Sequence, residues 1–150
     1  MTKSLRFSFV ILFAILMTAC ASVPMESPEK DRAAKNARPA PGKALIYVYR
    51  NEFFGAAMKM AVKLDGKIAG QTAKETYFMW QVSPGRHVIS SEMEGDEDYK
   101  LALNCKAGKS YYVWQEIKMG MFSANSKLHL VSPKQGRKGV QECKLIKSQI

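Results

Sequence analysis

Side chains that could perform chemistry are few in this sequence and lie far apart. His87 and His129 have no second histidine four positions later, and no Cys-x-x-Cys pair is present, so we predict no metal site. Nucleophilic catalysis needs a nucleophile beside a base and an orienting group, and the chain has no Gly-x-Ser-x-Gly motif. Cys143 and His129 could be imagined as a dyad, but Cys143 is better used as a partner for Cys105. The sequence therefore predicts no enzymatic activity and no cofactor.

One segment, residues 92–98, is densely acidic and contains five carboxylates. These oxygens could bind Ca²⁺, but the segment lacks the ligand spacing and the final bidentate glutamate of an EF-hand loop. We interpret it as a solvated hairpin tip, whose like charges also deter pairing between sheet edges.

The first twenty residues have the features of an export signal that ends in a lipid-attachment cysteine. Lys3 and Arg6 precede an apolar run over residues 7–17 that is too short to span a bilayer. Two small residues and then Cys20 follow this run, which resembles the lipobox of bacterial lipoproteins. Met17 departs from the leucine that is usual at its position. The alternatives are a simple signal peptide with an incidental cysteine, or an uncleaved anchor.

We therefore predict that residues 1–19 form a signal peptide that is removed, and that Cys20 becomes the acylated N-terminus. Several acyl chains on one residue exceed what stable membrane anchoring requires. Ala21 follows Cys20, and by resemblance to enterobacterial lipoproteins a residue other than aspartate there favours the outer membrane. The expected location is the cell outer membrane, with the domain facing the periplasm.

Two cysteines, Cys105 and Cys143, remain after Cys20 is acylated. An exported domain lies in an oxidising compartment, where two remaining cysteines usually pair. The sequence predicts a disulfide between Cys105 and Cys143, and the alternative is a pair of buried free thiols.

Residues 20–42 have the composition of a flexible tether. Four prolines are separated by Ser, Glu, Lys and Ala, and almost nothing in the segment could build a core. Proline-rich segments are extended, at about 3.1 Å per residue, so a tether of this kind would hold the domain away from the bilayer. The alternative is that Pro41-Gly42 already packs as the lead-in to the first strand.

Residues 43–150 have the pattern of one β-sandwich domain. The chain has 150 residues, 47% apolar and 24% charged, which suits one globular domain and excludes a disordered tail, a collagen-like repeat and a polytopic membrane protein. About seven short strands alternate with turn signals such as Asp65-Gly66, which predicts an antiparallel β-sandwich, with a small closed barrel as the rival. Trp80 and Trp114 lie within strands and are expected in the core. Residues 140–146 fit a short helix or a strand equally well.

Five stretches of this domain stand out by their order and spacing. They are ALIYVYR at 44–50, FFG at 53–55, VKLDG at 62–66, PGRH at 84–87 and AGKSYYV at 107–113. Together they resemble the bacterial lipoproteins with a DUF2846 domain. The strand-Asp-Gly and Pro-Gly-x-His pieces are also similar to PEGA domains, which are small sandwich modules of cell-surface proteins. The family is one of unknown function, so the resemblance implies an immunoglobulin-like or PEGA-like sandwich in the envelope and no reaction.

The chain is strongly basic, and its formal net charge of +10 falls by two, to +8, when Lys3 and Arg6 leave with the signal peptide. Cations concentrate in the last quarter, where Lys134, Arg137 and Lys138 are candidate binding residues. Anionic partners in the envelope are lipid headgroups, lipopolysaccharide phosphates and peptidoglycan carboxylates, whereas an exported protein rarely meets nucleic acid. The plainer interpretation is that this charge serves solubility.

Arg50, Phe53 and Phe54 lie between two strands and form a second candidate binding site. Exposed aromatic side chains in a loop are typical of a binding surface, whereas buried ones would cap the end of the sandwich core.

The sequence as a whole predicts a non-catalytic, membrane-anchored envelope lipoprotein that serves as a binding or scaffolding module for a cell-envelope component. Its expected partners are the membrane, through the N-terminal lipid, and an envelope protein or an anionic glycan or lipid. One alternative is a small periplasmic enzyme or enzyme modulator, which a cleft joining His129 to the acidic segment would favour. Another is an accessory subunit of a larger envelope complex.

Overall fold

The computed structural model describes residues 22–92, 99–119 and 124–150. These residues form nine strands in two sheets, together with two helices. In chain order the elements are α1 (Pro28–Lys35), β1 (Ala44–Arg50), β2 (Met60–Leu64), β3 (Lys67–Thr72), β4 (Thr76–Val82), β5 (Gly85–Glu92), β6 (Tyr99–Cys105), β7 (Ser110–Met119), β8 (Ala124–Val131), α2 (Pro133–Gln141) and β9 (Lys144–Leu145).

The two sheets pack face to face as a sandwich, which confirms the predicted mainly β fold. One sheet has five strands in the order β8-β7-β1-β4-β9, and the other has four in the order β3-β2-β5-β6. The described residues contain nine strands, against about seven expected from the sequence. The five-stranded sheet is mixed rather than antiparallel, because β1 runs parallel to β7 and β4 runs parallel to β9.

Strand β1 lies at the centre of the five-stranded sheet and is buried on both faces. Its side chains are apolar or aromatic as far as Arg50, as expected for a strand that is covered on both sides. Ile46 and Val48 belong to the core between the sheets, whereas Tyr47 and Tyr49 belong to a second cluster on the outer face. The two-residue period of a strand separates the two sets.

The core between the sheets is apolar, and Trp80 lies in it as predicted. The rings of Phe78 and Trp80 stack with centroids 5.2 Å apart, and Trp80 is buried. Trp114 packs instead against the cluster on the outer face, where it is half-buried and stacks on His129 at 5.1 Å.

A chain of buried polar side chains crosses the sandwich near one end of the core. Gln115 of β7 accepts a hydrogen bond from the hydroxyl of Thr72 and donates one to the hydroxyl of Ser91, both at 2.5 Å. Ser91 in turn lies 2.5 Å from the hydroxyl of Ser126. Because each of these groups would be costly to bury without a partner, the chain fixes how the two sheets face each other.

Helices α1 and α2 cover the outer face of the five-stranded sheet. The hydroxyl of Tyr47 donates to the carbonyl of Ala34 in α1 over 2.8 Å, and its ring stacks on Tyr112 at 4.9 Å. Val140 of α2 and Cys143 just beyond it fill the same cluster. The tyrosines of β1 and β7 therefore lie under a helical layer.

Two glycines let α2 approach the sheet closely. A Cβ atom added at Gly136 would lie 2.1 Å from Cβ of Tyr112, and one added at Gly139 would lie 2.1 Å from Cε2 of Tyr49. The helix begins at Pro133 after Ser132, whose hydroxyl accepts a hydrogen bond from the backbone N–H of Gln135. Residues 140–146, for which the sequence fitted a helix or a strand, contain both, since α2 ends at Gln141 and β9 follows.

The predicted flexible tether is corrected for the described part of that segment, residues 22–42. Ser27 caps α1 and Pro28 opens it, and Met25 forms a β-bridge with Ile146. Val23 is buried in the core between the sheets. The polar composition of the segment gave a wrong prediction, because α1 buries only one side chain, Ala34, and is attached to the sheet by hydrogen bonds.

The five-stranded sheet has an Arg50 end and an Ala44 end, which correspond to the two ends of β1. At the Arg50 end, Arg50 pairs with Thr76, and Thr76 pairs with Lys144. At the Ala44 end lie the first residues of β7 and the last of β4. Strand β1 spans about 20 Å between these two ends. Among the described residues, no helix is long and apolar enough to cross a membrane.

The close approach of α2 makes Gly139→Ala a test of the helical layer. Alanine in an open helical position stabilises by about 1 kcal/mol relative to glycine. Here we expect the substitution to lower the free energy of unfolding by about 1–3 kcal/mol, because the methyl group would overlap the Tyr49 ring. Urea denaturation measures the change, with the exposed Lys138→Ala as the control in the same helix. Equal or greater stability of Gly139→Ala would contradict the packing.

Candidate functional site

A basic groove lies between α1, α2 and the start of β7, toward the Ala44 end. It encloses about 400 Å³, and its cations are Lys35, Arg38 and Arg137. The remaining lining residues are neutral, and no carboxylate is among the described residues that line it. They are Asn36, Ala37, Pro39, Ser110, Tyr112 and Gln141.

Two local contacts and one contact with β4 position the α1 side of the basic groove. Lys35 lies in the last turn of α1, where its ammonium is 2.9 Å from the carboxylate of Asp31. Asn36 ends the helix, and its side-chain amide donates to the carbonyl of Arg32 over 2.8 Å. The chain then passes Arg38 and is held to β4 by a hydrogen bond from the N–H of Ala40 to the side chain of Gln81.

Asp31 attaches α1 to the sheet and so fixes one wall of the groove. Its carboxylate accepts hydrogen bonds from the ammonium of Lys35, the hydroxyl of Tyr77 and the N–H of Leu145, each at 2.9 Å. Burial acts to raise the pKa of Asp31, but these hydrogen bonds outweigh it and hold the pKa below its ordinary value. The carboxylate therefore stays ionised.

The α2 side of the groove carries the cations that the sequence singled out. Lys134, Arg137, Lys138 and Gln141 share one face of α2 by their spacing, and all four are exposed. Arg137 lines the groove beside Tyr112. Burial raises the pKa of Tyr112, and Arg137 partly offsets that rise. Of the three predicted α2 cations, the structure thus brings Arg137 into the groove and leaves Lys134 and Lys138 on the adjoining surface.

Arg50 is not a surface binding residue, which corrects the prediction. It is fully buried at the end of β1, where its side chain follows Ile46 and Val48 to the inner face. Its guanidinium donates to the carbonyl of Met58 over 2.8 Å and to the carbonyl of Gly55. Arg50 therefore binds the backbone of the loop that follows β1, rather than a ligand.

Phe53 and Phe54 lie on that loop and are exposed, so they do not cap the sandwich core. Phe53 is 76% exposed and Phe54 53%. The ammonium of Lys74 lies 4.3 Å from the centroid of the Phe53 ring, within the range of a cation–π contact. The loop presents two aromatic side chains on a backbone that Arg50 holds in place.

The predicted disulfide between Cys105 and Cys143 is not formed, and both thiols are free and buried. Cys105 faces the core between the sheets, whereas Cys143 lies in the cluster under the helices. The five-stranded sheet separates these clusters. Burial raises the pKa of Cys143 to about 12 and also raises that of Cys105, so neither thiol is poised as a nucleophile.

The two histidines each pair with a carboxylate. His87 Nδ1 lies 2.7 Å from Asp65 and its Nε2 lies 2.8 Å from the carbonyl of Ser83, which ties two adjacent turns together. Nε2 of His129 lies 2.7 Å from Glu116 on the outer face of the sheet. Of the acidic segment, residues 93–98 lie outside the described residues.

Glu52 adds a second carboxylate near the pair of Glu116 and His129. Burial raises the pKa of Glu52, which accepts a hydrogen bond from the N–H of Ile117, while the hydrogen bond to His129 lowers the pKa of Glu116. Acid–base catalysis uses pairs of carboxyl groups whose pKa values are shifted in opposite directions, and here such a pair lies beside an imidazole. Among the described residues, no group of three or more His, Cys, Asp or Glu side chains converges as a metal site requires.

Sequence reasoning missed Lys35 and Arg38 because it assigned them to a tether. A local signal was present, since Ser27-Pro28 is a typical helix start and Asp31 stands four residues before Lys35. No local signal could have placed Arg38 opposite Arg137, because this proximity depends on how both helices pack on the sheet.

The fold and the groove define a class of protein, a β-sandwich with a helical layer on one face and a basic groove in that layer. Residues 40–127, more than half of the chain, match the family model described as "Protein of unknown function (DUF2846)". The chain belongs to this family, as the resemblance of its motifs predicted. A relative from Haemophilus influenzae, named "Uncharacterized protein", is 35% identical over 134 residues, which cover 89% of this chain and 79% of the relative. Lys35, Arg38 and Arg137 lie outside the stretch that the family model matches.

The attachment of α1 through Asp31 gives a pH-dependent prediction. We expect Asp31→Asn to lower the free energy of unfolding at neutral pH by about 1–3 kcal/mol, because three donors lose a charged acceptor. The contribution of Asp31 is present above the ordinary carboxyl pKa of 3.8 and is lost as the pH falls through its lower folded pKa. The difference between the two proteins in urea unfolding should therefore shrink as the pH falls below 3.8.

The matched control is Glu29→Gln, which removes an exposed carboxylate from the same helix. We expect this control to change stability by less than about 0.5 kcal/mol. If Asp31→Asn were as stable as the control at neutral pH, Asp31 would not anchor α1.

Proposed function

We propose that this protein is a lipid-anchored envelope lipoprotein whose basic groove binds an anionic group of a cell-envelope component. The observation that carries the proposal is the convergence of Lys35, Arg38 and Arg137 around about 400 Å³ without a carboxylate in the lining. Asp31 compensates the charge of Lys35, so Arg38 and Arg137 supply the attraction. The role is binding or scaffolding, without catalysis.

The chemistry of the groove favours phosphate or carboxylate groups. A guanidinium offers parallel N–H donors that match both oxyanions, and such charge-assisted hydrogen bonds are stronger than neutral ones. Tyr112 and Gln141 add neutral polar groups to the lining. Lipid headgroups, lipopolysaccharide phosphates and peptidoglycan carboxylates are envelope sources of this chemistry, and nucleic acid is not an expected partner.

The N-terminal sequence supports the anchor. A short apolar run after Lys3 and Arg6 is followed by two small residues and Cys20, and acylation there would hold the mature chain in the outer membrane with its domain in the periplasm.

Two alternatives have their own support. The paired Glu116 and His129 beside Glu52 would serve a small periplasmic enzyme or enzyme modulator. The exposed Phe53 and Phe54 would serve an accessory subunit of an envelope complex. The groove favours the binding module over both, because it combines a concave surface with lining charges of one sign.

The anchor is tested by metabolic labelling with an alkyne palmitate in cells that express the full chain. We expect the label on the wild-type protein and its loss in Cys20→Ala, together with release from the outer-membrane fraction. Cys105→Ala is the control, because it also removes a cysteine but leaves the attachment site. Equal labelling of Cys20→Ala and the wild type would contradict the proposal that Cys20 is acylated.

The groove is tested by reversing two of its charges. We expect Arg38→Glu with Arg137→Glu to weaken binding by about tenfold or more, because two charge-assisted contacts are replaced by repulsion. Purified peptidoglycan sacculi and purified lipopolysaccharide are used in separate arms, and sedimentation measures the bound protein.

The control for this experiment carries the same change of net charge elsewhere. Arg86→Glu with Lys106→Glu alters two exposed cations away from the helical layer. If both double variants lost binding equally, or if neither probe bound the wild type, the groove would not be the binding site.

A further inference from the structure

The path of the chain between Cys20 and the folded domain is short. Val23 is already buried, the carbonyl of Pro24 accepts a hydrogen bond from the N–H of Lys147, and Met25 pairs with Ile146. Cys20 stands three residues before Val23, and three extended residues span at most about 10 Å. A lipid on Cys20 would therefore bring the surface around Ser22 against the bilayer.

The surface around Ser22 carries lysines. Ser22 lines one cavity of about 310 Å³ together with Lys74 and Lys144, and a second of about 690 Å³ together with Lys59. Lys59 and Lys144 are exposed and Lys74 is half-buried. All three belong to segments at the Arg50 end, since Lys144 pairs beside Thr76 and Lys59 precedes β2.

The exposed aromatic loop belongs to the same end. Phe53 lies under Lys74, which itself lines a cavity with Ser22, so the aromatic side chains and the exit of the chain are neighbours. Arg50 fixes the loop from inside through the carbonyls of Gly55 and Met58. The two phenylalanines are thus presented without a large loss of loop freedom on binding.

We propose that the Arg50 end is a membrane-docking face, on which Phe53 and Phe54 enter the headgroup region while Lys59, Lys74 and Lys144 contact lipid phosphates. The inference rests on the proposed acylation of Cys20 for its nearness to the bilayer. Aromatic side chains and lysines side by side are what interfacial membrane contact uses, since the rings enter the apolar boundary and the ammonium groups meet the headgroups.

The charge on this face is compatible with an anionic lipid surface. Three acids at this end each have a partner. Glu75 pairs with Lys74 at 3.3 Å, and Glu142 accepts a hydrogen bond from Asn51 at 2.6 Å. Glu52, in the loop with Phe53, accepts a hydrogen bond from the N–H of Ile117 at 3.2 Å.

The acidic segment 92–98 begins at this same end, because its first residue, Glu92, pairs with Ala61 of β2. Strands β5 and β6, which the segment connects, lie on the side of the four-stranded sheet away from β3, and β3 contacts β4, the strand that follows Lys74. The lysine-bearing edge would therefore face the bilayer.

Docking in this way would orient the basic groove. The groove includes Ser110, the first residue of β7, and lies toward the Ala44 end. The opposite end of β1 would rest on the bilayer about 20 Å away. The groove would then open toward the periplasm rather than toward the lipid that holds the protein.

The experiment uses the full-length protein and places tryptophan reporters at the Arg50 end and at the Ala44 end of the five-stranded sheet. Phe53→Trp, with Phe54→Trp as a second reporter, marks the docking face. Ile150→Trp marks an exposed apolar position toward the Ala44 end, where Ile150 lies beside Val82. Each protein is isolated from cell membranes and reconstituted into vesicles of phosphatidylethanolamine and phosphatidylglycerol with or without brominated acyl chains. The signal of Trp80 and Trp114 in the unsubstituted protein is subtracted.

We expect brominated lipid to quench the fluorescence at position 53 or 54 by about twofold and to leave position 150 unchanged. Replacing phosphatidylglycerol with phosphatidylcholine should reduce the quenching, because the lysines lose their anionic partners. Equal quenching at positions 53, 54 and 150, or none at any of them, would overturn the docking face.

Acylation is read separately in the same preparations from the mass of the isolated chain. A chain without acyl groups would contradict the proposed anchor, whereas an acylated chain without quenching at positions 53 and 54 would contradict only the docking face. The two failures are thus distinguishable.

Discussion

Strand β1 carries apolar or aromatic side chains on both faces, so neither face of its sheet can be left to water. The inner face is covered by the second sheet. The outer face bears Tyr47 and Tyr49, and the covering there must supply hydrogen-bond partners as well as apolar contact. Helices α1 and α2 meet this need, and the carbonyl of Ala34 accepts from Tyr47. The N-terminal segment is therefore part of the fold, and this brings the lysine-bearing and aromatic surface close to the predicted lipid.

The strands could be predicted because their signals are local. The unbroken apolar run of β1 indicated a central strand, and Asp65 and Gly66 take φ values of 51° and 79°, as the turn between β2 and β3 requires. Helix α1 was missed because its polar composition outweighed the cap at Ser27. Its attachment to the sheet depends on Tyr47, Tyr77 and Leu145, which are distant in sequence, so the local signals could indicate a helix but not that the helix packs on the sheet.

The candidate site could be predicted only in part, for the same reason. Arg137 was identified from the charge of the last quarter, yet its counterparts Lys35 and Arg38 come from a segment about one hundred residues earlier. Even cysteine parity indicated a disulfide, but parity carries no information about which side of a sheet a thiol faces. Arg50 illustrates the same limit, because its type suggested a ligand while its position at the inward end of β1 made it a clamp for the loop that carries Phe53 and Phe54.

The parallel contact between β1 and β7 has a consequence for how the chain reaches its folded state. Leu45 lies beside Ser110, and β2 to β6 are inserted between these neighbours. A pair so distant in sequence forms only after a long loop has closed, which makes folding slow. A ribosome delivers a chain from its N-terminus, so β1 emerges long before β7. Until β7 arrives, one edge of the central strand offers unpaired N–H and C=O groups to any extended neighbour. In a partly synthesised chain, a chaperone that covered this edge of β1 would prevent its pairing with other extended chains.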